Sequence, residues 1–96
     1  MPRAIVLHPD DNVATLIDSG SAGAACALQG EAAHALALAA DIPFGHKVCV
    51  RAIAAGAEVV KYGQVIGRAS RAIAAGEHVH THNVEAARGR GDQPGR

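Results

Sequence analysis

The stretch that decides the fold of this chain is RAIAAGAEVVKYG, residues 51–63, together with its echo RAIAAGEHVHTHN, residues 71–83. The hexapeptide RAIAAG begins at Arg51 and again at Arg71, twenty residues on. Each copy leads to an acid, Glu58 or Glu77, and then to Val59 or Val79. Physically this is a β-turn. Ile53 or Ile73 points to the core, the Ala-Gly pair makes the corner, and an exposed glutamate opens the outgoing strand. Two related turns predict pseudo-symmetric β-hairpins folded across one another. The copies then part company, the first running into Lys61 and Tyr62, the second into His78, His80 and His82.

Outward from the twins, residues 3–7 and 13–17 are short apolar runs closed by the loop compositions HPDDN and DSGSAG. Both read as strands. Over residues 24–40, alanine and leucine favour a helix by propensity. The run AHALALAA at 33–40 has no polar face at helical spacing, however, and Gly30 interrupts the segment. It reads as two short strands joined at Gly30. Residues 42–45, IPFG, are a turn, and 48–51, 58–61, 64–69 and 77–82 are extended. Glycines at 45, 56, 63, 67 and 76 punctuate these segments with the regularity of an all-β chain. The expectation is one mostly β domain over residues 1–88, compact, with short strands and bent hairpins. Residues 89–96, GRGDQPGR, hold nothing to bury and read as a disordered tail.

A chain of 96 residues has room for one core, and this one is thin: 49% of residues are hydrophobic, yet there is one Phe, one Tyr and no Trp. Part of its stabilisation is expected from contacts with copies of itself or a partner. Nine basic residues balance nine acidic ones, which argues against nucleic-acid or membrane partners, since these need a basic field. Cys26 and Cys49 have no metal-ribbon spacing and read as free, buried thiols. No secretory leader pattern opens the chain and no apolar run reaches about 18 residues, so the protein reads as soluble and cytoplasmic.

Six histidines carry the chemical interest. In EHVHTHN, residues 77–83, strand alternation puts His78, His80 and His82 on one face, neighbours about 6–7 Å apart. Such imidazoles can converge on a metal or an acidic substrate; the plain alternative is a solvated strand edge. Gly45-His46-Lys47 is a second polar cluster, suited to an anionic ligand or simply a charged surface turn. His8 with Asp10, Asp11 and Asn12 reads as a polar loop, and His34 as packed or merely exposed.

IPFGHK (42–47), KYGQVIGR (61–68) and AAGEHVHTHN (74–83), in this order and with HPDDNV (8–13) before them, resemble the small N-terminal SAF-type domain of altronate and galactarate dehydratases. The likeness covers roughly residues 3–88, with the alanine-rich residues 19–40 departing from it. The resemblance implies a β-clip fold. It implies removal of water from a hydroxylated sugar acid, a β-elimination beside a carboxylate, with a divalent metal, typically Fe2+, on this chain or its partner. Because the sequence stops soon after HTHN, it resembles the separate small subunit, which works with a large catalytic subunit. Elimination needs a base for the proton α to the carboxylate and an acid or metal for the leaving group. The catalytic candidates are His80, His82 and His46, and the metal candidates His78, His80 and His82. Lys47, Lys61, Arg68 and Asn83 are the substrate-binding candidates. Three rival readings accompany this one: the related small subunit of a sulfolactate sulfo-lyase, a stand-alone sugar-acid-binding module, and an oligomerisation domain whose histidines are idle.

Overall fold

A computed structural model of the chain describes residues 1–86, and every regular element in it is a strand. These are β1 (Arg3–Val6), β2 (Val13–Leu16), β3 (Ala25–Gly30), β4 (Ala35–Ala37), β5 (Lys47–Cys49), β6 (Glu58–Lys61), β7 (Gln64–Ala69), β8 (His78–Val79) and β9 (Val84–Ala86). The expected domain limit at residue 88 and the tail at 89–96 lie outside the described residues. Among those residues there is no helix, so none long and apolar enough to cross a membrane. The alanine-rich segment is a pair of strands, with Gly30 ending the first at φ 91°.

A six-stranded sheet runs β4-β3-β1-β2-β5-β8, and a three-stranded sheet runs β6-β7-β9. All pairings are antiparallel except β1 with β3. The twin turns are real, and they meet. Ile53 and Ile73 form an antiparallel bridge, each N–H donating to the other's carbonyl at 2.8 Å. Gly20 and Ile42 form a second bridge of the same kind.

Each of these four bridge residues leads directly into a tight turn. The amides of Ala24, His46, Ala57 and Glu77 donate to the carbonyls of Ser21, Pro43, Ala54 and Ala74 at 2.9–3.1 Å. The third residue of every turn is a glycine at positive φ, between 83° and 93°, which is the requirement of a type II turn. The repeat is therefore fourfold, although only two copies spell it in the same letters.

Two strand boundaries and one element differ from expectation. The strand expected at 48–51 begins and ends earlier, as β5. The one expected at 77–82 stops after Val79, because Asn83 captures the backbone that follows it. Its Oδ1 accepts from His80 N at 3.0 Å, its Nδ2 donates to the His78 carbonyl at 2.9 Å, and its own N–H donates to the His80 carbonyl at 3.1 Å. Residues 80–83 are thus a turn, and the chain emerges from it as the unexpected β9. That strand pairs with β7 across Gly67, where any Cβ would strike the Glu85 carbonyl. Glu58 is exposed as expected, whereas Glu77 is half-buried.

The β6–β7 hairpin closes through Tyr62 at φ 60° and Gly63 at φ 72°, the paired positive angles of a type I′ turn. The loop at residues 8–12 grips this hairpin. Gly63 N donates to Asp11 Oδ1 at 2.8 Å, Asn12 Nδ2 donates to the Glu58 carbonyl at 2.9 Å, and Val60 N donates to Asn12 Oδ1 at 2.8 Å. Asp11 is 2% exposed. Burial, the largest single influence, would raise its pKa, but backbone N–H donation from Gly63, Tyr62, Leu7 and His8 outweighs it and holds the carboxyl below its ordinary value.

The core falls into two clusters. One gathers Leu16, Leu28, Leu38, Ile42 and Val48, and the other Val13, Cys49, Ile53, Val59 and Ile73. Neighbours on β2 (Val13, Ala14) and on β5 (Val48, Cys49) go to opposite clusters, so these strands are buried on both faces. Both cysteines are free and buried. Burial, joined by the Glu77 charge, pushes the Cys49 thiol up to about 11, which makes it a packing residue rather than a nucleophile.

Candidate functional site

The pairing of β5 with β8 assembles the site. Residues Lys47↔Val79 and Val48↔His78 are opposite one another. His46, the last residue of the Pro43 turn, is therefore delivered to His78, and their Nδ1 and Nε2 atoms lie 2.9 Å apart. The Asn83 turn then folds His80 back over both. His80 stacks on His46 with ring centroids 4.5 Å apart and on His78 at 5.4 Å. One ring nitrogen from each of His46, His78 and His80 lies within 4.8 Å of the other two. His82 meets only His78, at 5.5 Å between centroids, and stays outside that group of three.

The histidines converge through a turn, not by strand alternation as the sequence suggested. The third member of the convergent set is His46, expected as a catalytic residue, rather than His82. The available signal was the turn repeat. Aligning Ile42-Pro-Phe-Gly45 with Ile73-Ala-Ala-Gly76 would have shown that Lys47 and His78 begin equivalent strands, so that His46 lies beside them.

His46 and His78 are half-buried, and His80 and His82 are exposed. Burial first, then the charges of His46, His80, His82 and Lys47, push the His78 imidazole below its ordinary 6.5. The neutral, ligating form is favoured in consequence. Lys47 lies beside the cluster, its pKa lowered by burial and then by the charge of Lys61. It forms one wall of a cavity of about 240 Å³ lined also by Ile66, Val79, His80, Thr81, Val84 and Ala86.

Of the remaining expected residues, Lys61 ends β6 close enough for its charge to reach Lys47. Arg68 is occupied elsewhere: it donates to the Gly56 carbonyl at 3.1 Å and pairs with Glu58 at 3.6 Å across the β6–β7 ladder. Asn83, expected to bind substrate, is 0% exposed and spends both ends of its amide on backbone. It is a positioning residue. His34 is exposed, and the His8 ring packs over Gly63, where a Cβ would come within 2.8 Å of it.

A small all-β domain of bent hairpins, carrying an imidazole cluster beside a lysine-walled cavity, is the class these features define. The family model for the altronate/galactarate dehydratase SAF domain matches residues 2–87, and the chain belongs to that family. Its architecture is the SAF β-clip. The chain is 40% identical over 80 residues to altronate dehydratase of Escherichia coli (strain K12), covering 83% of this chain and 16% of that one. It is 49% identical over 49 residues to (2R)-sulfolactate sulfo-lyase subunit alpha of Paracoccus pantotrophus, covering 51% of this chain and 73% of the relative. A third relative, galactarate dehydratase (L-threo-forming) of Escherichia coli (strain K12), is 37% identical over 75 residues, 78% of this chain and 14% of its own length. The chain thus spans about a sixth of the length of the dehydratases it matches.

Proposed function

We propose that this chain is the small, site-contributing component of a metal-dependent hydro-lyase that removes water from a hydroxylated sugar acid such as altronate or galactarate, working with a large catalytic polypeptide. The observation that carries this reading is the convergence of His46, His78 and His80, from two segments distant in sequence, on one point of a domain whose relatives are dehydratases and lyases. The word subunit in the name of the sulfo-lyase relative supports a two-component arrangement.

The donor set suits a divalent ion such as Fe2+. Imidazoles are ligands for first-row metals of this softness, and metal–nitrogen bonds of about 2.0–2.1 Å would set the nitrogens roughly 3.0–3.4 Å apart. The three nitrogens, now within 4.8 Å of one another, would draw together by up to about 1.5 Å on binding. His78 is already biased to its neutral form by burial. When bound, the ion would act as a Lewis acid on the departing hydroxyl. The chain's own residues would do the rest. Lys47 holds a substrate carboxylate by charge-assisted hydrogen bonds, and Lys61 adds to the positive field around it. His82, outside the ligand set, is free to move a proton. The base that takes the α proton is assigned to the large component.

The sulfo-lyase reading stays beside this one because of the 49% identity to a sulfo-lyase subunit. Altronate, galactarate and sulfolactate are all 2-hydroxy acids, so the same imidazoles and lysine serve either leaving group. The test begins with Co2+ titration of the purified chain, followed by its absorption spectrum and by calorimetry. One ion per chain is expected, with His46→Ala, His78→Ala and His80→Ala each weakening binding at least tenfold and His82→Ala sparing it. No binding, or equal loss in all four variants, would sink the metal assignment. Affinity capture of the large component from native lysate, then assays for water loss from altronate and sulfite release from sulfolactate, decides between the two lyases.

A further inference from the structure

The cavity beside the histidines has a mixed lining. Lys47, His80 and Thr81 bring its polar groups, and Ile66, Val79, Val84 and Ala86 its apolar wall. The lysine is unmatched. The ion pairs among the described residues are Arg3–Asp18, His8–Asp10 and Arg68–Glu58, and Lys47 makes neither an ion pair nor a side-chain hydrogen bond with any of these residues. A half-buried ammonium in an apolar-backed cavity without an acid is a position that an anion completes. The apolar wall is equally informative. Its strands pair as Lys47↔Val79, Gly67↔Ala86 and Ala69↔Val84, which commits their backbone to the ladders. Beyond the Lys47–His80–Thr81 side, a ligand meets aliphatic carbon rather than donors or acceptors.

We propose that this cavity is the subsite for the acid end of a 2-hydroxy carboxylate, and that it reads only that end. The carboxylate sits on Lys47, the 2-hydroxyl faces His80 and Thr81, and the C–H edge of the next carbon rests on the Ile66–Val84 wall. Hydroxyls farther along the chain find no partner in this cavity: the departing one on the third carbon is left to the adjacent histidine cluster, and chain length and stereochemistry beyond it are read by another surface. This inference rests on the hydroxy-acid reading above, but not on the metal.

The test is a titration of the full chain, followed by amide NMR at Lys47, Val79 and Thr81, once with chelator and once with Co2+. The probes are glycolate, lactate and gluconate, which share the acid end and differ in the tail, with acetate and 1,2-propanediol lacking one half of it. Glycolate, lactate and gluconate are expected to bind within about threefold of each other, and acetate and the diol at least tenfold more weakly. Lys47→Met should lose at least tenfold for all three acids, whereas Lys47→Arg, which keeps the charge, should stay within about threefold. Gluconate binding tenfold tighter than glycolate, or unchanged binding in Lys47→Met, would overturn the proposal. Failure to load Co2+ with carboxylate shifts intact in the chelated sample would remove the metal assignment and leave this subsite standing. Normal Co2+ loading without any carboxylate response would do the reverse.

Discussion

Asn83 sets the geometry of the histidine face without a ligand role, since it holds His80 N and the His78 carbonyl from a fully buried position. Asn83→Ala would leave a backbone donor and a backbone acceptor unpaired in the interior. The expected loss is about 2–3 kcal/mol by urea denaturation. Because the turn then loosens, metal affinity should fall together with stability, although no ligand atom has been removed. A variant of unchanged stability and unchanged Co2+ affinity would show that the turn holds itself. Asp11 gives the second prediction at this scale. Its folded pKa lies below the ordinary 3.8, so its contribution is complete above that value and is lost as pH falls through 3.8 to the lower folded value. Urea midpoints measured from pH 6 to pH 2.5 should drop across that window. In Asp11→Asn the amide would turn an N–H against backbone N–H groups, which costs about 1–3 kcal/mol at neutral pH and flattens the acid limb. An identical acid limb in the variant would assign it to other carboxyls. The two residues also mark what single letters carry. Three histidines at alternate positions draw the eye to a candidate site, with a solvated strand edge as the plain alternative. An asparagine after them, or an aspartate in a polar loop, is spelled the same whether it faces a ligand or the inside of a turn.

The turn is the informative element of this molecule. Gly56 and Gly76 occupy the same place in twin turns, at φ 83° and 93°, but their surroundings differ. A Cβ on Gly56 meets nothing within 4 Å, whereas one on Gly76 runs into the Ala37 carbonyl at the end of β4. Gly56→Ala should therefore cost only the left-handed backbone, about 1–2 kcal/mol. Gly76→Ala must also displace a neighbouring backbone, so its thermal midpoint should fall clearly further. Equal midpoints would mean that β4 yields freely at this contact. Identical letters gave the twin turns away in the sequence, but they are not the hairpins expected there. The first carries the chain from β5 to β6 and the second from β7 to β8, each passing between the two sheets, and they meet through the Ile53–Ile73 bridge. The other two were read as turns but not as copies of the same one, because the turn constrains only the glycine, while Ile-Pro-Phe and Gly-Ser-Ala satisfy the same backbone as Ile-Ala-Ala. β8 was read too long for a related reason. Alternating His-x-His is the pattern of a strand, and nothing local announces that a side chain five residues on will close a turn beneath it. The alanine-rich β3 and β4 were legible because they lacked a polar face at helical spacing, which outweighed their helix propensity.

At the scale of the whole chain, the pairing of β1 with β3 in parallel was beyond local reading, since short turns suggest antiparallel neighbours. It has a consequence for cooperativity. β2 and β5 place successive residues in opposite clusters, Val13 against Ala14 and Val48 against Cys49, so neither cluster can open without exposing the back of the strands that build the other. The domain should unfold as one unit despite its two cores. Ile42→Val in the first cluster and Ile73→Val in the second each remove one buried methylene from a side chain 1% exposed, for an expected 0.5–1.5 kcal/mol (about 1 in each case). Native-state hydrogen exchange reads the outcome at the most protected amides of β1 and of β6. Each substitution should lower protection equally in both strands, because the same global opening governs both. If Ile42→Val lowered protection in β1 and left β6 untouched, the hairpin bearing Lys61 would be an independent unit. The lysine-walled cavity, whose lining comes from β5, β7, β8, β9 and the turn between the last two, would then open and close without the rest of the fold.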